Sequence, residues 1–194
     1  MCREARELSA SLSSWDPQTL LDALSALLLI ADEEPIGRPS ISRILGIGDK
    51  RARNIVAKLR EAGLVDVSRA GARLTGEAWR LLRGIRCLWR NGFTIAVVPC
   101  SDVSREHVER SVIPLRDAIV ITLSEPRILD VVGWVDEKGL LLPRLEGELA
   151  EHYRRLIGGL RCGEAPRCLI GVFHGSAAPC YRCCASLLHA ASTL

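Results

Sequence analysis

Residues 36–75 run IGRPSISRILGIGDKRARNIVAKLREAGLVDVSRAGARLT, and the apolar spacing divides them into a short helix, a glycine-broken turn, a longer cationic helix and a small hairpin. Ile41, Ile44 and Leu45 mark the inner face of the first helix, which Gly46 to Gly48 break. Ala52, Ile55, Val56 and Leu59 recur at helical spacing on the next, leaving Lys50, Arg51, Arg53, Asn54 and Lys58 on the outer face. Asp49 is placed to cap this second helix, expected from Asp49 to Ala62, and Gly63 to end it with a left-handed residue. Leu64 to Val67 and Ala72 to Leu74 then pair as a hairpin with Ser68, Arg69, Ala70 and Gly71 at its tip.

That order of elements between Gly37 and Leu74 is a winged helix-turn-helix, and the segment resembles winged-helix DNA-binding regulators. In those proteins the second helix lies in the major groove and its N-terminal residues meet base edges. The resemblance implies that Arg51, Arg53 and Asn54 read bases, because Arg can reach O6 and N7 of guanine and Asn can bond adenine in the same two-pronged way. It implies phosphate contacts for Lys50, Lys58, Arg69 and Arg73, with hydroxyl contacts to the backbone from Ser40 and Ser42. The competing interpretation is a solvated cationic face on a winged helix that binds protein.

Charge is distributed unevenly although the net charge is only +3. Residues 1–36 hold two basic and seven acidic side chains, residues 37–90 thirteen and four, and residues 91–194 eleven and twelve. A local excess of cations supports salt-sensitive nucleic-acid binding, since each phosphate neutralised releases condensed counterions. Arginine outnumbers lysine 23 to 3, consistent with a GC-rich genome.

Asp16 and Pro17 suit the cap and first turn of a helix continuing through Leu20, Leu21, Leu24, Leu27, Leu28 and Ile30. Its apolar run contains Asp22 and is shorter than the roughly 20 residues a bilayer span needs. With no signal peptide or transmembrane segment evident, a cytoplasmic protein is expected. Thr75 can cap a further helix through Asn91, with Ala78, Leu81, Leu82, Ile85, Leu88 and Trp89 as one stripe. That stripe suits either core packing or a homodimer helix that would set the spacing of two half-sites. The expected division is a winged-helix DNA-binding domain over 1–91 and an α+β effector or oligomerisation domain over 92–194.

In the second half, strands are expected at Phe93–Val98, Ala118–Leu123, Arg127–Val135, Gly139–Leu142 and Cys168–Phe173. Helices are expected at Ser104–Val112, Arg144–Ile157 and Pro179–Ala191. Together these suggest a small two-layer α+β sheet domain. The winged helix followed by LRDAIVITLSEPRILDVVGWVDEKGLLLPRLEGELAEHYRRL (115–156) resembles a family of uncharacterised archaeal winged-helix proteins with a GAD-like C-terminal half. That resemblance implies a DNA-binding head joined to an effector-binding or oligomerisation domain, and it brings no catalytic residues.

Of eight cysteines, Cys2, Cys87 and Cys100 are scattered, whereas Cys162, Cys168, Cys180, Cys183 and Cys184 crowd the last 33 residues beside His174 and His189. Three interpretations stay open. Cys162, Cys168, Cys180 and Cys183 supply four soft ligands for zinc, although the spacer between the first two is longer than a usual zinc knuckle. Cys180 and Cys183, or Cys162 and Cys168, form a redox switch, the first pair lying where a helix N-terminus favours thiolate. Or all are structural, as buried thiols or a stabilising disulfide, intracellular disulfides being a recognised feature of hyperthermophiles.

Sequence motifs for catalysis are lacking: there is no phosphate-binding or dinucleotide glycine loop, no His-Glu-x-x-His and no Gly-x-Ser-x-Gly. Ser176 in His-Gly-Ser has no nucleophile-elbow context, and Glu146, Glu148 and Glu151 suit a solvated helix face. The expectation is a non-enzymatic, sequence-specific duplex-DNA-binding transcriptional regulator and homodimer, responsive through its C-terminal domain to a small-molecule effector, a metal or redox state. The alternatives are an RNA-binding or translation-linked module, since GAD-like domains accompany tRNA-charging enzymes, and a winged helix used for protein interaction.

Overall fold

The computed structural model describes residues 2–125, 127–175 and 178–194, so Ser176 lies outside the described residues. Helix α1 (Arg3–Ser11) precedes α2 (Pro17–Glu33), whose cap is Asp16 accepting the Thr19 N–H at 3.0 Å, with Pro17 in the first turn. Every residue of α2 from Leu20 to Ile30 is buried, Asp22 and Ser25 included. A helix apolar nearly all round must be covered all round. Helices α3 (Arg38–Leu45) and α4 (Asp49–Glu61) cover one side of α2, followed by strands β1 (Val65–Ser68) and β2 (Gly71–Leu74).

The two strands pair antiparallel with Ser68 opposite Gly71, so the tip is the two residues Arg69 and Ala70. Ile36 bridges to Ala72 and extends this ribbon back towards α2. Gly71 has φ +132°, and a Cβ there would stand 2.6 Å from the Ile36 carbonyl oxygen, so only glycine admits this approach. Gly63 ends α4 in the left-handed conformation, as expected. Asp49 does not cap α4; it is the first helical residue, after Gly48. Ile44, assigned to the inner face of α3, is 44% exposed, while Ile41 and Leu45 are buried.

The helix expected over Thr75–Asn91 is instead α5 (Gly76–Leu81), capped by Thr75, followed by strand β3 (Arg86–Arg90). Gly84, left-handed at φ +76°, lies between them. Asn91 and Gly92 have φ +51° and +83°, the signature of a two-residue turn that matches strand twist, and they join β3 to β4 (Phe93–Pro99) with Arg90 opposite Phe93. The apolar stripe that suited either core packing or a dimer helix is therefore divided between a short helix and a strand. The boundary expected at 91/92 falls on the tip of this hairpin.

A helix from Ser104 to Val112 and a strand from Ala118 to Leu123 were expected; a single helix, α6 (Arg105–Leu123), replaces both. Pro114 within it forfeits one backbone hydrogen bond, but Val108, Val112, Leu115 and Ile119 keep one buried helical stripe across it. Strands β5 (Leu129–Asp136) and β6 (Gly139–Leu141) form the expected hairpin. Helix α7 (Gly147–Ile157), strand β7 (Cys168–His174) and helix α8 (Tyr181–Ala191) complete the chain, α7 starting three residues later than expected.

The five-stranded sheet has the order β3-β4-β7-β5-β6, each pair antiparallel. Alternation along β4 sends Ile95 and Val97 to one face, against Tyr153 and Leu156 of α7, and Ala96 and Val98 to the other. Helices cover both faces, so the two-layer expectation is corrected to three layers, with α6 and α8 opposite α7. Helix α8 also packs on α2. One continuous buried cluster therefore extends from Ile41 and Leu59 through α2 and α8 to Phe173 on the sheet.

Candidate nucleic-acid interface

The exposed side of α4 and the adjoining ribbon enclose a groove of about 370 Å³, lined among others by Arg38, Arg53, Arg60 and Arg69. None of these four guanidinium groups has a carboxylate partner among the described residues. Of the nine lysines and arginines between 37 and 75, Arg51 alone is in an ion pair among the described residues. The cations just beyond behave differently. Arg80 holds Glu77 and Glu7, Arg83 holds Glu164, Arg86 donates to the Arg161 carbonyl, and Arg90 donates to the Leu156 carbonyl. The basic excess noted over 37–90 thus splits into a set on α3, α4 and the ribbon that, Arg51 apart, has no carboxylate partner among the described residues, and a set over 80–90 that bonds carboxylates or backbone carbonyls, although the Arg86 Nε is buried with no partner among those residues.

Helical periodicity puts Arg53 and Arg60 on the ribbon side of α4, Lys50, Asn54 and Ala57 at its exposed centre, and Arg51 and Lys58 on the side facing the start of α2. Asn54 and Lys50 are exposed, as their helical spacing predicts. Arg51 does not stand free on the outer face: its Nε is bonded to the carboxylate of Asp22, which is only 1% exposed. Asp22 also accepts from Gln18 at 3.2 Å and pairs with Arg182 of α8 at 3.4 Å. The Lys58 ammonium lies 5.1 Å from the centre of the Trp15 ring, a cation–π contact that draws it towards α2.

Ser42 spends its hydroxyl on the Ile47 carbonyl and so braces the turn between α3 and α4. Ser40 is half-buried on α3. On the ribbon, Arg69 occupies the tip and Arg73 stands opposite Asp66 in the strand register. Arg38 and Arg60 were not singled out from sequence. Arg60 is seven residues beyond Arg53, a helical repeat that puts the two on one stripe, and that spacing is the signal which could have found it.

The proposed zinc ligands do not converge. Cys162 is bonded to Cys168 within the cluster under α7, whereas Cys180 is bonded to Cys183 on the opposite side of the sheet. Cys2–Cys100 and Cys87–Cys184 are also disulfides, so all eight cysteines are paired. Among the described residues no group of three or more His, Cys, Asp or Glu is arranged to hold a metal ion. None of their helices is long and apolar enough to cross a membrane.

No family model and no curated protein matches this chain. Among solved structures it is similar to a protein of Pyrococcus horikoshii OT3 described only as hypothetical, with a TM-score of 0.59 and 20% identity over 90% of this chain and 91% of that one. The likeness concerns the mixed α and β fold alone.

Proposed function

We propose that residues 36–75 form a winged helix-turn-helix that binds duplex DNA, and that the protein is a transcriptional regulator. Helix α4 enters the major groove, Arg53 and Asn54 meet base edges, and Lys50, Arg38, Arg60, Arg69 and Arg73 hold phosphates. The observation that carries this reading is the unpaired arginine set around the groove between α4 and the ribbon. Like charges held together without counter-ions repel, and a polyanion relieves that repulsion while releasing its own condensed cations. Arg51 is withdrawn from the base-reading set because its guanidinium is engaged by Asp22.

The test is a fluorescence-anisotropy titration of the full chain against genomic duplex DNA and against structured RNA at two salt concentrations. Sequence-selective duplex binding with a log–log salt slope of about −0.9 per phosphate contact is the expected outcome. Preference for structured RNA would transfer the same arginines to a translation-linked role, and salt-independent absence of binding to either would assign the groove to a protein partner.

A further inference from the structure

We propose that the Cys180–Cys183 disulfide is a site of exchange with dithiol reductants, and that its state sets the availability of Arg51 to DNA through Asp22. The proposal rests on the reading of α4 as the DNA-contacting helix. Seven of the eight cysteines are buried; Cys180, at the N-terminal end of α8, is the exception. Because exchange requires access to sulfur, this disulfide is the one an external thiolate reaches in the folded protein.

The residues enclosed by this disulfide are Tyr181 and Arg182, and both dock on α2. Tyr181 is buried, and burial together with the neighbouring Asp32 near the end of α2 raises the pKa of its hydroxyl, while Arg182 pairs with Asp22 near the start of that helix. The bond from Cys180 to Cys183 joins the cap of α8 to its first turn, where the Cys183 N–H also bonds the Cys180 sulfur at 3.3 Å. The Cys180 N–H is itself held by the buried Thr94 hydroxyl at 2.9 Å. The cross-link therefore fixes the turn that presents Arg182 to Asp22. Cys184 stays tied to Cys87 on β3, so opening this cross-link frees only the residues ahead of it, and the start of a helix lacking such a restraint frays readily.

The step balances in two exchanges. A reductant thiolate bonds to the Cys180 sulfur, breaking the bond to Cys183, which leaves as thiolate and is protonated. The reductant's second thiolate then attacks its own sulfur in the mixed disulfide and releases Cys180. Two electrons and two protons pass to the cysteines, and the reductant becomes a disulfide.

With the disulfide closed, Arg182 keeps Asp22 neutralised, so Arg51 can move to a phosphate without abandoning a buried carboxylate. With it open, Arg182 is released and Arg51 becomes the remaining cation on Asp22. The oxidised protein then binds duplex DNA more tightly, by roughly tenfold, the scale of one charge-assisted hydrogen bond.

The experiment uses the full chain. Graded dithiothreitol followed by alkylation and peptide mass mapping is expected to label Cys180 and Cys183 before any other cysteine; simultaneous or different labelling would overturn the exchange site. The Cys180→Ser/Cys183→Ser variant is expected to bind duplex roughly tenfold more weakly than wild type, and to bind no differently from its parent in an Arg182→Gln background. An equal loss in both backgrounds would overturn the route through Arg182. Selectively reduced wild type provides the same comparison if the serine variant does not fold. If no state binds DNA, the Arg51 Nε–H resonance still decides: it shifts on selective reduction of wild type and not of Arg182→Gln. A resonance unmoved in wild type overturns the coupling, whereas one that moves separates failure of the DNA reading from failure of the switch.

Discussion

The carboxylate of Glu34, just past the end of α2, accepts the backbone N–H of Leu74 at 2.7 Å, so the segment leaving α2 is fastened to the last residue of the ribbon. Together with the Ile36–Ala72 bridge, this anchors the ribbon to the core helix independently of its own hairpin. Glu34→Ala is expected to cost about 1 to 3 kcal/mol by leaving the Leu74 N–H without its charged acceptor. Glu34→Gln retains an acceptor and should recover much of that. Thermal melts of the two variants check this, each kcal/mol corresponding to about 2–4 °C for a chain of this size.

Gly71→Ala tests the same attachment from the other side. The added methyl meets the Ile36 carbonyl at a distance real Cβ atoms do not show, in a backbone conformation that disfavours any side chain. The expected outcome is a loss of at least about 1 to 3 kcal/mol and a displaced ribbon. Weaker duplex binding should accompany it, measured by anisotropy beside the melt.

The order of elements from α2 to β2 was legible because each is written locally, in the Asp16–Pro17 cap, the glycines at 46 and 63, and two clean helical stripes. The helix drawn through residues 75–91 failed because an apolar stripe at helical spacing outweighed Asn91-Gly92, the strongest short-range hairpin signal in the chain. In α6 the opposite error arose: a short helix and a separate strand were expected where Val108, Val112, Leu115 and Ile119 form one buried helical stripe that continues across Pro114. Exposure of Lys50, Arg53 and Asn54 followed from periodicity. The fate of Arg51 did not, since it depends on a carboxylate 29 residues earlier whose burial arises only when α2, α4 and α8 meet. Disulfide partners nearly a hundred residues apart lie equally beyond local pattern.

Alanine variants of α4 should separate two kinds of arginine. Arg53→Ala is expected to cost about 1 to 3 kcal/mol in duplex affinity and relax selectivity at one base pair, and Arg60→Ala to weaken all sequences alike and reduce the salt slope by about 1. Arg51→Ala should both lower the melting temperature, because it strips a cation from the buried Asp22, and weaken duplex binding by the oxidised protein roughly tenfold, removing the effect of reduction. Equal, sequence-blind losses from Arg53→Ala and Arg60→Ala would remove the base-reading role.

Acid sensitivity is expected from His189 in the last turn of α8. Burial lowers its pKa, and its Nδ1 is buried with no hydrogen-bond partner among the described residues. As pH falls below the ordinary histidine value of about 6.5, the unfolded chain takes up a proton that the folded one resists, so stability declines through that window and is retained above it. Replacing His189 by Asn should flatten this part of a plot of melting temperature against pH.

The Cys2–Cys100 and Cys87–Cys184 loops overlap across residues 87–100, the stretch that contains the Asn91-Gly92 turn. Every peptide bond between Cys2 and Cys184 therefore lies inside at least one covalent ring. A protease that cuts the backbone once anywhere in that span produces two chain segments but not two molecules. The nicked protein migrates as one species until reductant is added, and its halves stay tethered for re-closure of the cut region on the remaining scaffold.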